Sequence, residues 1–342
     1  MNSPVRELRT NYPCDMHTHS NRSDGKRPPS EVIDHAAELG VRVLVLSDHD
    51  ITPPAQIETA SGQRSPCDYA QEQGVYLLPG IEISCETEVE DVHLVCLGCD
   101  WNDPYFTNLE RAVQQSKQKS YRELVDRIHE DGYPITWEAL LTWNGRNIAP
   151  EQIQKKMIFE ALSEIGFAET WSDAKKRVKA TPRYQIPREK PPAEDTIREV
   201  HRTGGLVILA HPYLIADPVV RGGSSISRAQ FIESLITAGL DGIEARYTYQ
   251  KTSYTGQMRQ EDIAEKVMQN YSSRLRIISG GSDYHGEPGK NGAERTKSAL
   301  HVKLGNAPCS GMSFSRTTRC VSLLKGFTGN YRRYPRVCPI TR

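Results

Sequence analysis

Six of the ten histidines stand at the ends of short apolar segments, near acidic residues. In chain order, the candidate metal ligands are His17, His19, Asp24, His49, Glu82, His93, His211, Asp283 and His285. Imidazole nitrogens and carboxylate oxygens together suit borderline divalent ions such as Zn²⁺, Mn²⁺ and Fe²⁺. The residue types and their positions therefore predict a divalent metal centre.

The first motif indicates how such a centre could be built and what it could do. Residues i and i+2 of an extended segment point to the same side, so His17 and His19 can bind one ion. A shared carboxylate can bridge two ions that are about 3.5–4 Å apart. Such a pair lowers the pKa of a bound water toward neutrality and neutralises charge on a phosphoryl oxygen. We therefore expect hydrolysis of a phosphate ester by attack of a metal-bridging hydroxide on phosphorus.

Short apolar segments alternate with helical patterns, which is typical of βα units around a parallel sheet. Seven segments are predicted as strands: Pro13 to Met16, Val41 to Ser47, Val75 to Ser84, Val92 to Gly98, Leu206 to Ala210, Gly242 to Ala245 and Arg276 to Ser279. Seven strands favour a closed or nearly closed barrel over an open sheet. Active sites of β/α barrels lie at the C-terminal strand ends, so the candidate ligands should converge there. Between the first two strands, Ser30 is a candidate helix N-cap and Gly40 a helix stop.

Residues 104–198 interrupt this alternation, because they are charged and helix-prone and contain no strong strand pattern. Lys155 to Leu162 and Ser172 to Val178 are predicted as amphipathic helices. We therefore predict a barrel formed by 12–103 and 199–293, with a helical insertion at 104–198 between the fourth and fifth strands. The insertion could cap the barrel mouth, or it could be a solvated elaboration without a catalytic role.

Residues 294–342 differ from the rest of the chain in composition. From Arg295 to Arg342 there are ten Lys or Arg residues and no Asp or Glu. A basic tail could contact nucleic acid, and a disordered tail is a second interpretation. We favour a third, in which the reading frame shifts near residue 293 and the encoded tail is not native sequence.

The overall composition argues against a membrane protein and against a strongly charged partner. Lys and Arg balance Asp and Glu at 43 each, so no global field favours nucleic acid or an anionic membrane. No run of 18 apolar residues and no signal-peptide pattern is present, so we expect a soluble cytoplasmic protein. Cys96 and Cys99 form a CxxC inside a strand pattern, and we expect buried, inert thiols rather than a zinc or redox motif.

The motifs taken together resemble those of the PHP (polymerase and histidinol phosphatase) superfamily over about residues 12 to 290. They stand here as His17-Thr18-His19, Ser23-Asp24-Gly25, Asp48-His49, Gly80-Ile81-Glu82, His93, Ala210-His211-Pro212 and Ser282-Asp283-Tyr284-His285. The resemblance implies a distorted seven-stranded, TIM-like β/α barrel that holds two or three divalent metal ions.

The resemblance also implies a distribution of the ligands. The first metal would be held by His17, His19, Glu82 and Asp283. Glu82 would bridge to a second metal, which His93 and His211 also hold, whereas Asp24, His49 and His285 would hold a third. Asp48 would orient a ligand from behind the metal centre.

The long insertion resembles the branch of the superfamily that contains small-molecule phosphoesterases. That branch acts on nucleoside 3′,5′-bisphosphates, short oligonucleotide ends and phosphoribosyl 1,2-cyclic phosphate. Members often carry a GRPH-like segment, and this chain has Gly145-Arg146-Asn147-Ile148 instead. We expect a metal-dependent phosphoric ester hydrolase acting on a small nucleotide or sugar phosphate. The alternatives are a 5′–3′ exonuclease on short oligonucleotides, a histidinol-phosphate phosphatase and, outside the enzymes, a metal-binding module.

Further side chains are candidates for contact with the substrate. Arg183, Arg246 and Lys290 could bind phosphate, and Arg246 is best placed because it ends the sixth predicted strand. His285 or Asp48 could protonate the leaving oxygen, and the sequence does not choose between them. Tyr247 and Tyr249 could stack on a base or sugar, or could pack in the core.

Overall fold

A computed structural model describes residues 8–9, 14–86, 91–221, 223–252, 254–286 and 301–302. Basic residue Lys290 and all but residues 301–302 of the tail at 294–342 lie outside the described residues. The chain divides into two compact units, one formed by 1–106 with 191–342 and the other by 107–190. No helix in the described part of the chain is both long and apolar enough to cross a membrane.

Seven strands form the barrel-like sheet of the first unit, and all seven predicted strands are confirmed within a few residues. They are β1 Cys14–Thr18, β2 Val43–Leu46, β3 Tyr76–Glu86, β4 Asp91–Leu97, β5 Leu206–Leu209, β6 Gly242–Arg246 and β7 Ile277–Gly280. Their order in the sheet follows the chain, and the two-residue strands His301–Val302 and Leu8–Arg9 continue the sheet beyond β7. Apolar side chains of the strands, among them Val45, Val95 and Ile208, pack together in a buried cluster.

The sheet is not uniformly parallel, which corrects the expectation from the sequence. The pairs β1–β2, β2–β3, β5–β6 and β6–β7 are parallel, but β4 runs antiparallel to both β3 and β5. The reason is the short connection, because β3 ends at Glu86 and β4 begins at Asp91. A parallel crossover needs a dozen or more residues, so this connection permits only a hairpin.

Backbone contacts between the ends of β1 and β7 nearly close the barrel. The His19 N–H donates to the Tyr284 carbonyl at 2.9 Å, and the Asp283 N–H donates to the His17 carbonyl at 2.9 Å. Gly281 makes this close approach feasible, since a Cβ there would lie 2.3 Å from the Cβ of His17. The segment that follows β7 is thereby held against the end of β1.

The remaining elements of the first unit connect the strands. The helices that lie wholly in this unit are α1 Pro29–Glu38, α2 Pro66–Glu72, α7 Ala193–Arg202, α8 Arg228–Thr237 and α9 Gln260–Tyr271. The long helix α3 Pro104–Glu130 begins here, and 3₁₀ turns occur at Pro212–Leu214 and Tyr249–Lys251. Two hairpins pair Ile57–Thr59 with Gly62–Arg64 and Val219–Arg221 with Ser224–Ile226. Gly40 follows α1 with a φ of 72°, as predicted for a helix stop. Ser30 is not the N-cap, because Pro29 starts the helix one residue earlier and its fixed φ suits the first turn.

The second unit is helical and has an apolar core of its own. It contains most of α3, with α4 Trp137–Leu141, α5 Lys155–Glu164 and α6 Trp171–Ala180, and 3₁₀ turns at Trp143–Gly145, Pro150–Gln152 and Pro182–Tyr184. The two amphipathic helices predicted there are α5 and α6. Buried Phe159 and Leu162 of α5 and Val178 of α6 belong to its core, so both helices pack against the interior of this unit.

The thiols of the CxxC are buried, as expected. Cys96 and Cys99 are 0% and 2% exposed. Burial raises the pKa of Cys99 to about 12 and raises that of Cys96 well above its ordinary value. Both are therefore protonated and unreactive near pH 7, because the thiolate is the nucleophile and the metal ligand.

Candidate metal centre

The nine residues predicted as metal ligands meet at one end of the barrel. Candidate ligands lie at or just beyond the C-terminal ends of β1, β2, β5 and β7. Glu82 lies inside β3 rather than at its end, because β3 continues to Glu86 as an arm of the hairpin with β4. His93 lies near the beginning of antiparallel β4, opposite Ser84, and so reaches the same end of the barrel.

The fully buried Glu82 carboxylate is the hub of the cluster. Its Oε2 lies 3.0 to 3.2 Å from ring nitrogens of three histidines. Its Oε1 lies 3.1 and 3.2 Å from ring nitrogens of two more. The five histidines are His17, His19 and His49 around Oε2, with His93 and His211 around Oε1. Each oxygen of one carboxylate thus faces a separate set of imidazoles, which is the arrangement that a bridging carboxylate needs.

Two aspartates carry the negative charge on the other side of the histidines. Asp283 Oδ1 lies 3.1 Å from His19 Nε2 and 3.6 Å from both His17 Nε2 and His285 Nδ1. Asp24 Oδ1 lies 3.2 Å from His285 Nε2, and Asp24 Oδ2 lies 3.9 Å from His49 Nε2. Asp24 is more than half exposed, so this side of the cluster is open to solvent.

Three groups have ligand atoms that all lie within 4.8 Å of one another: His17, His19, Glu82 and Asp283; His19, Asp24, His49 and His285; and His49, Glu82 and His93. The first group has the same members as the first-metal set implied by the resemblance. The second group adds His19 to the implied third-metal set. The third group contains His49 beside Glu82 and His93, whereas His211 belongs to none of the three groups and lies with its Nε2 at 3.2 Å from Glu82 Oε1.

Unpartnered buried polar atoms show that this cluster fits cations. Both ring nitrogens of His17 and of His19, Nδ1 of His49 and Oε2 of Glu82 are buried without a hydrogen-bond partner among the described residues. Buried polar atoms are almost always hydrogen-bonded, so leaving several unpaired at one point would cost considerable free energy. A divalent cation would satisfy these lone pairs, and the mixed imidazole and carboxylate donors suit Zn²⁺, Mn²⁺ or Fe²⁺.

The electrostatics of the cluster distinguish its histidines. Burial alone would raise the pKa of Glu82, but His17, His49 and His93 hold this pKa well below its ordinary value. Burial opposes protonation of His19, yet Asp283 and Glu82 raise the pKa of His19 to about 10. Burial lowers the pKa of His49 to about 3. In the metal-free protein near pH 7, His19 therefore carries a proton that a metal would displace, whereas His49 is neutral and ready to bind.

Asp48 supports the loop that carries Asp24. Its Oδ1 accepts hydrogen bonds from the Ser20 N–H and the Ser23 hydroxyl, and its Oδ2 accepts one from the Ser20 hydroxyl, all at 2.7 Å. Both carboxylate oxygens are thus engaged by groups of this loop. These contacts favour the positioning role over the proton-donor role, both of which were considered for Asp48.

One residue of the site, Glu244, was missed at the level of the sequence, and for Tyr247 and Tyr249 the sequence left stacking and packing open. Glu244 in β6 is 2% exposed and its Oε2 accepts the His211 backbone N–H at 2.8 Å. The Tyr247 hydroxyl donates to Asp283 Oδ2 at 2.7 Å, and the ring is buried, as is that of Tyr249. These contacts support packing rather than base stacking for both tyrosines. The available signal for Glu244 was a carboxylate inside an apolar strand, since ionisable residues are rarely buried without partners.

The arginine candidates differ in their surroundings. Arg246 is exposed at the end of β6, the strand that also carries Glu244. Arg183 lies in the helical unit, where its guanidinium pairs with Glu130 and, at 3.2 Å, with Asp131. These acids already engage Arg183, which favours the structural interpretation over phosphate binding. Lys290 lies outside the described residues, so Arg246 is the one candidate among the described residues that lies on a barrel strand.

Comparison with known proteins gives consistent matches. The PHP domain family matches residues 15–183. The chain is 30% identical over 207 residues to the 5′–3′ exoribonuclease Rnm of Salmonella typhimurium, covering 59% of this chain and 67% of the relative. It is 26% identical over 286 residues to the 3′,5′-nucleoside bisphosphate phosphatase of Chromobacterium violaceum, covering 82% of this chain and 89% of the relative.

A solved structure gives the same result. The chain superposes with a TM-score of 0.58 and 26% identity on a protein from Bifidobacterium adolescentis that was assigned as a metal-dependent phosphoesterase, covering 92% of this chain and 97% of that chain. The fold, the histidine and carboxylate cluster and the sequence matches thus agree. The chain belongs to the PHP domain family, and it is a metal-dependent phosphoesterase.

Proposed function

We propose that this protein hydrolyses a small phosphate ester of a nucleotide or sugar, such as a nucleoside 3′,5′-bisphosphate or phosphoribosyl 1,2-cyclic phosphate. The observation that carries the proposal is the Glu82 carboxylate, which has five histidine rings at 3.0–3.2 Å. The match to a bisphosphate phosphatase over 82% of the chain supports a small substrate, because it extends through both units.

The chain would hold two or three divalent ions, which would supply an acidic water and neutralise charge on the phosphoryl group. The proposed ligands are the nine clustered residues: His17, His19, Asp24, His49, Glu82, His93, His211, Asp283 and His285. Of the two candidates for proton transfer to the leaving oxygen, His285 is the one whose ring faces the cluster, at 3.2 Å from Asp24. Arg246 is our candidate for binding a non-bridging phosphate oxygen, as a guanidinium can donate two parallel hydrogen bonds.

The first experiment is a screen for phosphate release by the Mn²⁺-loaded protein. The panel contains a nucleoside 3′,5′-bisphosphate, phosphoribosyl 1,2-cyclic phosphate, histidinol phosphate and a short RNA. His17→Ala removes a clustered ligand, and His129→Ala removes an exposed histidine of the helical unit as a matched control. We expect turnover of a small ester that is lost only with His17→Ala. A folded, metal-loaded protein that turns over none of the small esters would contradict the proposal.

A second candidate function is 5′–3′ exonuclease activity on short oligonucleotides. The match to an exoribonuclease at 30% identity favours it. The zero net charge argues against a long nucleic-acid track, since phosphate contacts come mainly from Lys and Arg. End-labelled RNAs of two to twenty nucleotides separate the two functions. Release of single nucleotides from the 5′ end, faster than phosphate release from any small ester, would establish the exonuclease.

We also propose that the helical unit at 107–190 acts as a cap that contributes to substrate selection. Its support is the match to the nucleoside 3′,5′-bisphosphate phosphatase, which extends through both units and so includes this insertion between β4 and β5. Arg146 is exposed in the segment that replaces the GRPH-like motif, and Arg111 is an exposed arginine of the same unit. Arg146→Ala should raise KM for the physiological ester and leave kcat unchanged, whereas Arg111→Ala should change neither. Equal KM values for both variants would argue against the cap role of this segment.

A further inference from the structure

Glu244 connects two candidate ligands that come from different strands. Its carboxylate is buried in β6, with one oxygen directed to each of two histidines. Oε2 accepts the backbone N–H of His211 at 2.8 Å, and Oε1 lies 3.7 Å from Nδ1 of His17. Glu244 is therefore in contact with residues at the ends of both β1 and β5, although it is not itself in any ligand group.

The contact with His17 bears on which ring nitrogen can bind a metal. Nε2 of His17 lies 3.0 Å from Glu82 Oε2, on the side of the cluster, and Nδ1 points to Glu244 on the opposite side. A neutral imidazole carries its proton on one nitrogen, and an acceptor beside Nδ1 favours the tautomer with the proton there. The Glu244 carboxylate thus leaves the lone pair on Nε2, where a cation would need it. Carboxylates behind metal-binding histidines commonly act in this way.

The contact with His211 bears on its backbone. His211 has φ 27° and ψ 59°, near the left-handed region that non-glycine residues seldom adopt. Such a conformation persists when surrounding contacts determine it, and the bond from the His211 N–H to Glu244 is one such contact. In this conformation the ring of His211 places Nε2 at 3.2 Å from Glu82 Oε1.

We propose that Glu244 is a positioning residue that holds His17 and His211 together, and thereby couples the metal sites on the two sides of Glu82. The proposal rests on the metal-ligand roles proposed above. It requires a side chain with two acceptor oxygens, because one oxygen accepts the His211 backbone N–H and the other faces Nδ1 of His17 at 3.7 Å. A carboxylate meets this requirement, whereas the amide of glutamine has one acceptor and one donor.

The test is Mn²⁺ binding by the Glu244→Gln variant. Binding is measured by calorimetric titration and by metal analysis after gel filtration. We expect Mn²⁺ affinity to fall about 10–100-fold, as is usual when a group behind a metal ligand is changed. Glu244→Asp keeps both acceptor oxygens on a shorter side chain and should bind Mn²⁺ more tightly than Glu244→Gln. The same order should appear in the visible absorption of the Co²⁺-loaded proteins, which reports ligand geometry.

The matched control is Asp241→Asn. Asp241 is also a buried carboxylate and immediately precedes β6. It accepts the backbone N–H of Val207 at 3.0 Å and faces a histidine, His201, at 2.8 Å. It lies at the other end of β6, so Asp241→Asn should leave Mn²⁺ affinity unchanged. Wild-type affinity in Glu244→Gln, equal losses in both variants, or tighter binding by Gln than by Asp would overturn the proposal. A wild-type protein that binds no divalent metal would instead overturn the proposed function, and is recognised before any variant is made.

Discussion

The two ends of the barrel use the same residue types in opposite ways. At the end where β6 begins, Asp241 accepts the Val207 N–H, His201 Nε2 and, more weakly, Arg276. At the opposite end, where the candidate ligands lie, several buried nitrogens of His17 and His19 have no hydrogen-bond partner among the described residues. The Asp241 carboxylate is engaged by groups of the protein itself, whereas the nitrogens of His17 and His19 would be satisfied by cations. Buried polar groups with hydrogen-bond partners stabilise a fold, whereas several buried polar groups without such partners at one point indicate a binding site.

The largest expected effect is at Glu82, where the contrast between the ends is greatest. Glu82→Gln removes the charge that faces five histidines and should lower kcat/KM by at least about 10³-fold, because the ions contribute several kcal/mol to the transition state. Metal content and phosphate release are measured on protein whose circular dichroism matches that of the wild type. A variant that retains both its metals and its activity would remove Glu82 from the centre of the site.

Glycine substitutions at the two ends separate folding from metal binding. A Cβ at Gly281 would lie 2.3 Å from His17 Cβ and 2.6 Å from Glu244 Oε1, and a Cβ at Gly242 would lie 2.7 Å from Ile277 Cβ. Each alanine variant should lose about 1–3 kcal/mol of stability through overpacking. Only Gly281→Ala should also lose Mn²⁺ affinity in the folded state. Denaturant unfolding and Mn²⁺ titration of both variants check this, and equal affinities would show that the metal centre tolerates displacement of His17.

The raised pKa of His19, about 10, predicts that metal binding near pH 7 releases a proton. Between pH 6 and 9, Mn²⁺ affinity should therefore rise by up to about tenfold per pH unit for each proton released. In the metal-free protein the sign is opposite. The ion pairs of His19 stabilise the fold fully below its ordinary pKa of 6.5, and this stability is lost as the pH rises through about 10.

The measurement is calorimetric titration with Mn²⁺ in two buffers of different ionisation enthalpy. His49 has a pKa of about 3 and contributes no proton near neutrality. His49→Ala should therefore weaken binding without changing the number of protons released. A heat of binding that is independent of the buffer would show that His19 is already neutral in the metal-free protein.

The smallest effect is expected from His201→Ala, at the end of the barrel where Asp241 lies. His201 is about one third exposed and contacts Asp241, which keeps its bond to the Val207 N–H. The loss should be about 0.5–1.5 kcal/mol of stability, with kcat and KM unchanged. Thermal unfolding and steady-state kinetics check both parts. A change in kcat of more than about threefold, roughly 0.7 kcal/mol, would show that the two ends are coupled.

Sequence patterns were sufficient for the strands and for the candidate ligands. Apolar segments such as Val41 to Ser47 are short, continuous and separated by helical patterns, so local chemistry alone indicates a buried strand. The pairs in His17-Thr18-His19 and Asp48-His49 combine ionisable side chains where an apolar strand ends, which is a local signal as well. Both kinds of information depend on residues that are close together in the chain.

Other features depend on which residues meet in space, and only the tertiary structure decided them. The direction of β4 leaves no trace in its apolar pattern, because a strand reads the same way in either orientation. The structure shows that β4 is antiparallel to β3, so that His93 at its beginning reaches the same end of the barrel as the C-terminal ends of the parallel strands. The same holds for partners that are distant in the chain. Arg183 is engaged by Glu130 and Asp131, Asp48 is occupied by Ser20 and Ser23, and Glu244 lies between His17 and His211. The sequence by itself determined which groups are available for metal chemistry. Their partners were set by folding, because hydrogen bonds and ion pairs act over a few ångströms of space and are independent of separation along the chain.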